Sequence, residues 1–173
     1  ARLLAPGRSA EIDFHEGVVA HERAERLLRQ GEARAAAAEF EAALVRYEAA
    51  RPAASILHAY EARVAGALAR LGRHEEAVVA WREAIALQPE YHWWWRSLGV
   101  SLRALGRWEE ALSATLGAVA FGCGQPALVD LQELYRDGGV PPALMLAALW
   151  GALRDQPDVA RRCEEQARQL ALA

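Results

Sequence analysis

Apolar residues recur at helical spacing along almost the whole chain, and the alternating β-branched runs typical of strands are missing. Ala, Leu, Glu and Arg occupy most positions, and all four are good helix formers. Glycine and proline interrupt this pattern at fairly even intervals. The pattern therefore predicts an all-α fold with short turns, whose helices cover about 11–30, 32–50, 53–71, 73–87, 92–105, 107–120, 126–137, 141–155 and 158–171.

Two of these stretches, 71–89 and 105–122, share a frame in which three small residues return after a shift of 34 residues. They are Gly72, Ala77 and Ala84 in the first stretch and Gly106, Ala111 and Ala118 in the second. A third copy at 31–44 lies 41 residues upstream of the first and carries Phe40 where that stretch has Trp81. The alanines are expected where two helices approach closely, and the glycines in turns that need a positive φ. Repeats of this length predict stacked helix hairpins.

In these repeats the chain resembles the tetratricopeptide repeat (TPR) family. The residues that match the family pattern are Trp95, Leu98, Gly99, Leu102, Gly106, Ala111 and Ala118 in one copy, and Val64, Ala65, Leu68, Gly72, Ala77, Trp81, Ala84 and Pro89 in the copy before it. Thr115 stands where the family has an aromatic residue, and Cys123 stands where it has proline. The resemblance implies a right-handed α-solenoid of stacked antiparallel hairpins in one domain, 1–173, with repeats at about 11–51, 53–89, 90–125 and, in degenerate form, 126–157, and a C-terminal capping helix at 158–171.

The stretch 91–99 places Trp93, Trp94 and Trp95 side by side. Because an α-helix turns roughly 100° per residue, three adjacent indoles cannot share one face. Trp95 falls on the apolar stripe that includes Leu98, and it is predicted to lie in the hairpin core. Trp94 lies at the edge of that stripe and is predicted to contact the preceding hairpin. Trp93 lies on the opposite side, where three occupants stay open: a binding partner, the N-terminal segment of this chain, or a second copy.

In the family that the chain resembles, the first helix of each hairpin lines a concave groove that binds peptides or helices. Carried onto this chain, the resemblance implies a groove formed by Trp93, Arg96, Val100, Arg103, Ala62, Gly66, Arg70, His21 and Arg29, with Glu25, Leu28 and Ala69 beside them. The small residues of the second copy would leave a depression, and the arginines would favour carboxylate groups of an acidic partner. The lysine–asparagine clamp with which some family members hold a C-terminal carboxylate has no match here.

Composition limits the other classes of function. The net charge is −3, which gives no electrostatic argument for binding to nucleic acid or to an anionic membrane. All 20 basic residues are arginine, so every mechanism that needs a lysine is excluded. Apolar runs of the roughly 20 residues that span a bilayer are also missing. We expect a cytoplasmic protein whose two cysteines, Cys123 and Cys163, are ordinary reduced thiols.

The stretch 13–22, DFHEGVVAHE, comes closest to a catalytic string. A zinc-binding HExxH helix needs histidines four residues apart, whereas His15 and His21 are six apart and face different directions. We therefore expect no catalytic, cofactor or metal site.

These observations predict a non-enzymatic protein interaction module that binds a peptide or protein segment in a groove. Two alternatives stay open at this point. One is a self-assembling structural or scaffold protein, a homo-oligomer built through its apolar face and the helix at 158–171. The other is an accessory domain of a larger enzyme or regulator.

Overall fold

A computed structural model describes residues 10–50, 57–141, 143 and 145 of the chain. Within these residues the chain forms seven α-helices and no strand, which confirms the predicted all-α fold. The helices are α1 (Ala10–Arg29), α2 (Ala33–Ala50), α3 (Leu57–Arg70), α4 (His74–Leu87), α5 (His92–Ala104), α6 (Trp108–Ala120) and α7 (Gly124–Gly138). The predicted helix at 158–171, and that at 141–155 apart from residues 141, 143 and 145, lie outside the described residues.

The described helices group into two compact units. The first unit ends at Leu87 and contains α1 to α4, and the second begins at Gln88 and contains α5 to α7. In the first unit α1 packs on α2 and α3 packs on α4, while in the second unit α5 packs on α6 and α6 on α7. The units are thus made of helix hairpins, as the repeats predict. The assignment of residues 1–173 to one domain of four repeats stays a prediction.

The turns inside the hairpins repeat one backbone motif. The glycine after the first helix has a positive φ in each case, +82° at Gly31, +76° at Gly72 and +70° at Gly106. The next residue donates its backbone N–H to a carbonyl five positions back, over 3.0 Å in each turn. These bonds join Glu32 to Leu27, Arg73 to Leu68 and Arg107 to Leu102. The left-handed backbone is cheap for glycine alone, which confirms the expected role of Gly72 and Gly106.

The core of the first unit is built from aromatic rings and alanines. Phe40, Tyr47 and Tyr60 are buried, and Tyr47 fits against α1 because residue 17 is glycine. A Cβ atom at Gly17 would lie 2.6 Å from Cε1 of Tyr47. The small residues packed among these rings are Ala24, Ala36, Ala43 and Ala67. The repeated alanines therefore hold the helices close together, as their spacing predicts.

The second unit uses the same pairing of glycine with a large ring. A Cβ atom at Gly117 on α6 would lie 2.6 Å from Cε3 of Trp95, and one at Gly138 would lie 2.6 Å from Cε3 of Trp108. Thr115, at the position where the TPR family has an aromatic residue, donates a hydrogen bond over 2.9 Å to the carbonyl of Ala111. This small side chain lets α5 approach α6 closely, because a Cβ atom at Gly99 would lie 2.9 Å from Thr115 Oγ1.

Candidate functional site

Trp93 is the exposed member of the tryptophan triplet on α5. Its side chain is 44% exposed, and the ring of His92 lies 5.2 Å from it. The guanidinium carbon of Arg96 lies 5.9 Å from the ring centroid, which is within reach of a cation–π interaction. Val100, two turns further along the helix, is exposed as well. The exposure predicted for Trp93 is therefore confirmed, and an apolar surface bordered by arginine remains open to solvent.

The other two tryptophans of the triplet differ in how deeply they are buried, and the predicted contact of Trp94 with the preceding hairpin stays a prediction. Trp95 packs inside the hairpin against Gly117 and Phe121, and its Nε1 donates a hydrogen bond over 2.7 Å to the carbonyl of Pro89. This contact confirms its predicted place in the hairpin core, although the ring is partly exposed. Trp94 is the buried one, with the ring of Tyr91 4.8 Å away. Trp95 can remain partly exposed because its indole N–H is hydrogen-bonded to the carbonyl of Pro89.

The two groove arginines of α5 are paired with carboxylates of α7. Arg96 holds Asp130 through two hydrogen bonds of 2.6 and 3.2 Å, and Arg103 is paired with Glu133. Sequence reasoning missed both acids. The Arg96–Asp130 pair spans 34 residues, which equals the repeat shift, so the two residues occupy the same position on successive first helices. That spacing is the signal that could have identified the pair.

The predicted groove residues of the first unit lie on α1 and α3. Arg70 donates two hydrogen bonds, 2.7 and 3.2 Å long, to the carboxylate of Glu25. Ala62 and Gly66 are partly buried on α3, and Arg29 is exposed at the end of α1. Among the residues that the structure describes, Arg29 has no carboxylate within ion-pair distance. Each unit therefore carries its own subset of the nine predicted residues.

His21, which the resemblance assigned to the groove, is buried in the first unit. Its side chain is 8% exposed and its ring meets Phe40 edge-on, 5.1 Å away. The ring sits below α3 at Gly66, where a Cβ atom would be 3.4 Å from His21 Cε1. Within the described residues its Nδ1 atom has no hydrogen-bond partner. Burial, reinforced by the positive charge of Arg63, lowers the pKa of His21 below its ordinary value of 6.5.

This environment predicts acid sensitivity of the first unit. Because folding lowers the pKa of His21, the unfolded chain binds the proton more tightly, and the stability contributed by the neutral ring is present above pH 6.5 and lost as the pH falls below it. Glu22, Glu25 and Arg70 also act on the ring, with the two acids opposing the shift. Denaturant unfolding at several pH values should show this loss for the wild type and a shallower loss for His21→Gln. Parallel pH profiles for the two proteins would contradict the assignment.

The candidate catalytic string at the start of α1 is engaged in structural contacts. Asp13 is buried, and its carboxylate lies 3.3 Å from Nη1 of Arg46 on α2. Glu16 lies 3.2 Å from the same guanidinium group. In the described ranges, no three His, Cys, Asp or Glu side chains come together as a metal site. Burial raises the pKa of the Cys123 thiol, so a smaller fraction of it is in the reactive thiolate form. Cys163 lies outside the described residues.

None of the described helices combines the length and apolar character that crossing a bilayer requires.

The helix hairpins, left-handed turn glycines and small residues at the helix contacts define the class of the fold, which is that of the tetratricopeptide repeat domains. Solved structures agree with this class. The first TPR of Spaghetti (RPAP3), bound to the HSP90 peptide SRMEEVD, is 19% identical, with a TM-score of 0.56 over 71% of this chain and 93% of that one. The Sgt2 TPR domain from Aspergillus fumigatus is 21% identical, with a TM-score of 0.51 over 93% of this chain and 87% of that one.

MamA (41-end) from Desulfovibrio magneticus RS-1 is 18% identical, with a TM-score of 0.57 over 90% of this chain and 93% of that one. A family model described as the bacterial transcriptional activator domain matches residues 44–115. No curated protein matches the chain. At these identities the likeness establishes the fold, and the resemblance seen in the repeats is confirmed at that level.

Proposed function

We propose that this chain is a non-enzymatic protein interaction module that binds a peptide or protein segment through the first helices of its hairpins. The observation that carries the proposal is the exposed Trp93 on α5, with Arg96 against its ring and Val100 further along the same face. Exposed apolar patches bordered by polar groups are typical of interaction sites. Support also comes from the RPAP3 domain, whose fold is similar and whose structure contains a bound peptide.

Trp93 is the residue that contributes most of the binding energy in this proposal. Tryptophan and arginine are the residues most enriched among interface positions that dominate affinity. A partner side chain placed over Trp93 and Val100 would remove apolar surface from water, at roughly 25 cal/mol for each square ångström covered. The stem of Arg96, held in place by Asp130, would form one wall of this contact.

The arginines of α5 are expected to contribute less to affinity than Trp93, although the sequence predicts that they favour an acidic partner. Arg96 and Arg103 already hold carboxylates of this chain, so an acidic group of a partner must compete with Asp130 or Glu133. Of the two pairs, Arg103–Glu133 has the more exposed acid and is the one open to exchange. We therefore expect affinity to fall only modestly with added salt.

In the first unit, the proposed contact surface consists of Ala62, Gly66, Arg70 and Arg29, with His21 forming the layer below Gly66. The small side chains on α3 leave room for a ligand to approach the backbone. Arg29 is exposed at the end of this surface and can meet a carboxylate without displacing one from within the described residues. The proposal assigns anion recognition to this unit and apolar recognition to the second.

Trp93→Ala is expected to weaken peptide binding at least about tenfold, or about 1.4 kcal/mol, because the main apolar contact is lost. Peptides selected from a random display library against the wild-type chain provide the probes, and isothermal titration measures their affinities for both proteins. Circular dichroism and thermal melting confirm that the variant stays folded, since an exposed position contributes little to stability.

Phe121→Ala is the matched control, because Phe121 is an equally exposed aromatic residue, 43% against 44%, but lies at the end of α6. It should bind the selected peptides with wild-type affinity. Affinities of Trp93→Ala within twofold of the wild type would contradict the proposal. Equal losses for Trp93→Ala and Phe121→Ala would contradict it too, since they would assign binding to exposed aromatic surface in general.

The family-model match to the bacterial transcriptional activator domain favours a second candidate, an interaction module inside a transcriptional regulator. The net charge of −3 suits contact with protein better than contact with DNA in this part of such a regulator. Reading the native open reading frame on both sides of Ala1 and Ala173 tests this candidate. A DNA-binding domain in the same chain supports it, and a frame that encodes this stretch alone rejects it.

A further inference from the structure

The first hairpin has a second surface, on the opposite side of α1 from His21. A shallow depression of about 500 Å³ lies there between α1 and α2. Its apolar part includes Ile12 and Val19, both about half exposed, together with Ala20 and Ala42. We call this surface the outer face; its lining residues are Ile12, His15, Glu16, Val19, Ala20, Arg23, Glu39, Ala42 and Arg46.

Aligning the first two repeats shows what the corresponding positions of α3 contact. The shift of 41 residues aligns Val19 with Tyr60 and Arg23 with Val64. In the first unit, Tyr60 is buried in the aromatic core of the preceding hairpin, and Val64 packs against the same cluster. The aligned positions of α1 are thus those with which a hairpin meets another hairpin. On α1 they are solvent-facing, with Val19 56% exposed.

Four charged side chains surround Val19 in an alternating arrangement. Arg23 lies 3.2 Å from Glu39 at one end of the face, and Arg46 lies 3.2 Å from Glu16 at the other end. Because α1 carries Glu16 and Arg23 while α2 carries Arg46 and Glu39, neighbouring corners always have opposite signs. The four charges sum to zero, so the outer face repels neither a neutral nor a similarly patterned surface.

This arrangement is complementary to itself. A two-fold axis parallel to the helices places α1 of one copy over α2 of the other, so that Arg23 meets Glu39 and Arg46 meets Glu16. A two-fold axis across the helices places α1 over α1 in reverse, so that Arg23 meets Glu16 and Arg46 meets Glu39. Opposite charges face each other in both cases, which is the condition for an isologous interface.

We propose that the outer face of α1 and α2 binds the same face of a second copy of this chain, forming a two-fold dimer with Val19 near its centre. In this dimer Ile12 and Val19 are removed from water. They belong to the side of α1 that the repeat alignment assigns to contacts between hairpins. No residue of the proposed peptide site is among the residues that line the outer face. The dimer proposal does not depend on the proposed function.

Sedimentation equilibrium of the 173-residue chain, from micromolar to millimolar concentration, tests the dimer. The apparent mass should rise from 18.9 kDa toward twice that value. Val19→Asp should stay at 18.9 kDa over the same range, because it places two negative charges close together in an apolar contact. Arg23→Glu should weaken the dimer at least about tenfold, since the new glutamate meets an acid under either two-fold axis.

Val79→Asp is the control, because Val79 is 57% exposed on α4, away from the outer face. It should dimerise like the wild type, and all variants should keep the wild-type circular dichroism spectrum. A wild-type chain that stays at 18.9 kDa throughout would overturn the proposal and leave the face to another occupant. Unchanged association of Val19→Asp, or equal loss in Val79→Asp, would overturn it as well.

Discussion

Tyr47→Ala is expected to lower the free energy of unfolding by about 4 kcal/mol, because it leaves a large cavity in the core of the first unit. The side chain is fully buried and contacts the rings of Phe14, His21 and Tyr60. Gly17 lets the ring lie directly against α1, and this residue has no side chain that could refill the space. Urea unfolding measures the loss, and hydrogen exchange should show that the amides of α1 to α3 lose most protection.

Tyr47→Phe is the matched control, because it keeps the ring and removes only the hydroxyl. In the part of the chain that the structure describes, this buried hydroxyl has no hydrogen-bond partner, and burial raises its pKa to about 12. Removing a desolvated polar group that has no partner costs little, so its stability should stay within about 0.5 kcal/mol of the wild type. A loss as large as that of Tyr47→Ala would mean that the hydroxyl, and not the ring, stabilises this core.

The turns and helix boundaries could be predicted because they follow from local chemistry. Gly72 and Gly106 have the positive φ that was expected of them, since only glycine adopts it without strain. Pro126 shows the limit of such rules. Helix α7 begins at Gly124, two residues before the prediction, because proline is tolerated anywhere in the first turn, where backbone N–H groups have no helical partner.

The site could be predicted only in part, because helical periodicity treats one helix at a time. It placed Trp93 on an exposed face correctly, since that depends on α5 alone. The family resemblance implied that Arg96 recognises an acidic partner, but the carboxylate it holds is that of Asp130, which another helix supplies. The resemblance also implied that His21 lies in the groove, although the absence of a side chain at Gly66 lets α3 cover that ring. Such outcomes depend on contacts between hairpins, which the pattern of a single helix does not contain.

Asp130→Ala is expected to lower the free energy of unfolding by about 2–3 kcal/mol. Removing one partner of a buried ion pair costs about 3–5 kcal/mol, because the other charge is left desolvated and unpaired. The Asp130 side chain is 8% exposed, but that of Arg96 is 32% exposed. Water therefore partly solvates the unpaired arginine, and the expected loss lies at or below the lower end of that range. Urea unfolding measures the change, and hydrogen exchange should locate the loss in α5 and α7.

Glu133→Ala removes the other acid that α7 contributes, and it serves as the matched comparison. Glu133 and Arg103 are both partly exposed, so their pair behaves like a surface ion pair and its loss should cost less than about 1 kcal/mol. In a double-mutant cycle, Arg96→Ala should cost clearly less in the Asp130→Ala background than in the wild type, because the unpaired charge is then removed. Additive losses would show that Arg96 and Asp130 do not stabilise each other. In that case Arg96 would be available to a carboxylate of a partner, and acidic selectivity would belong to the second unit as well as to Arg29.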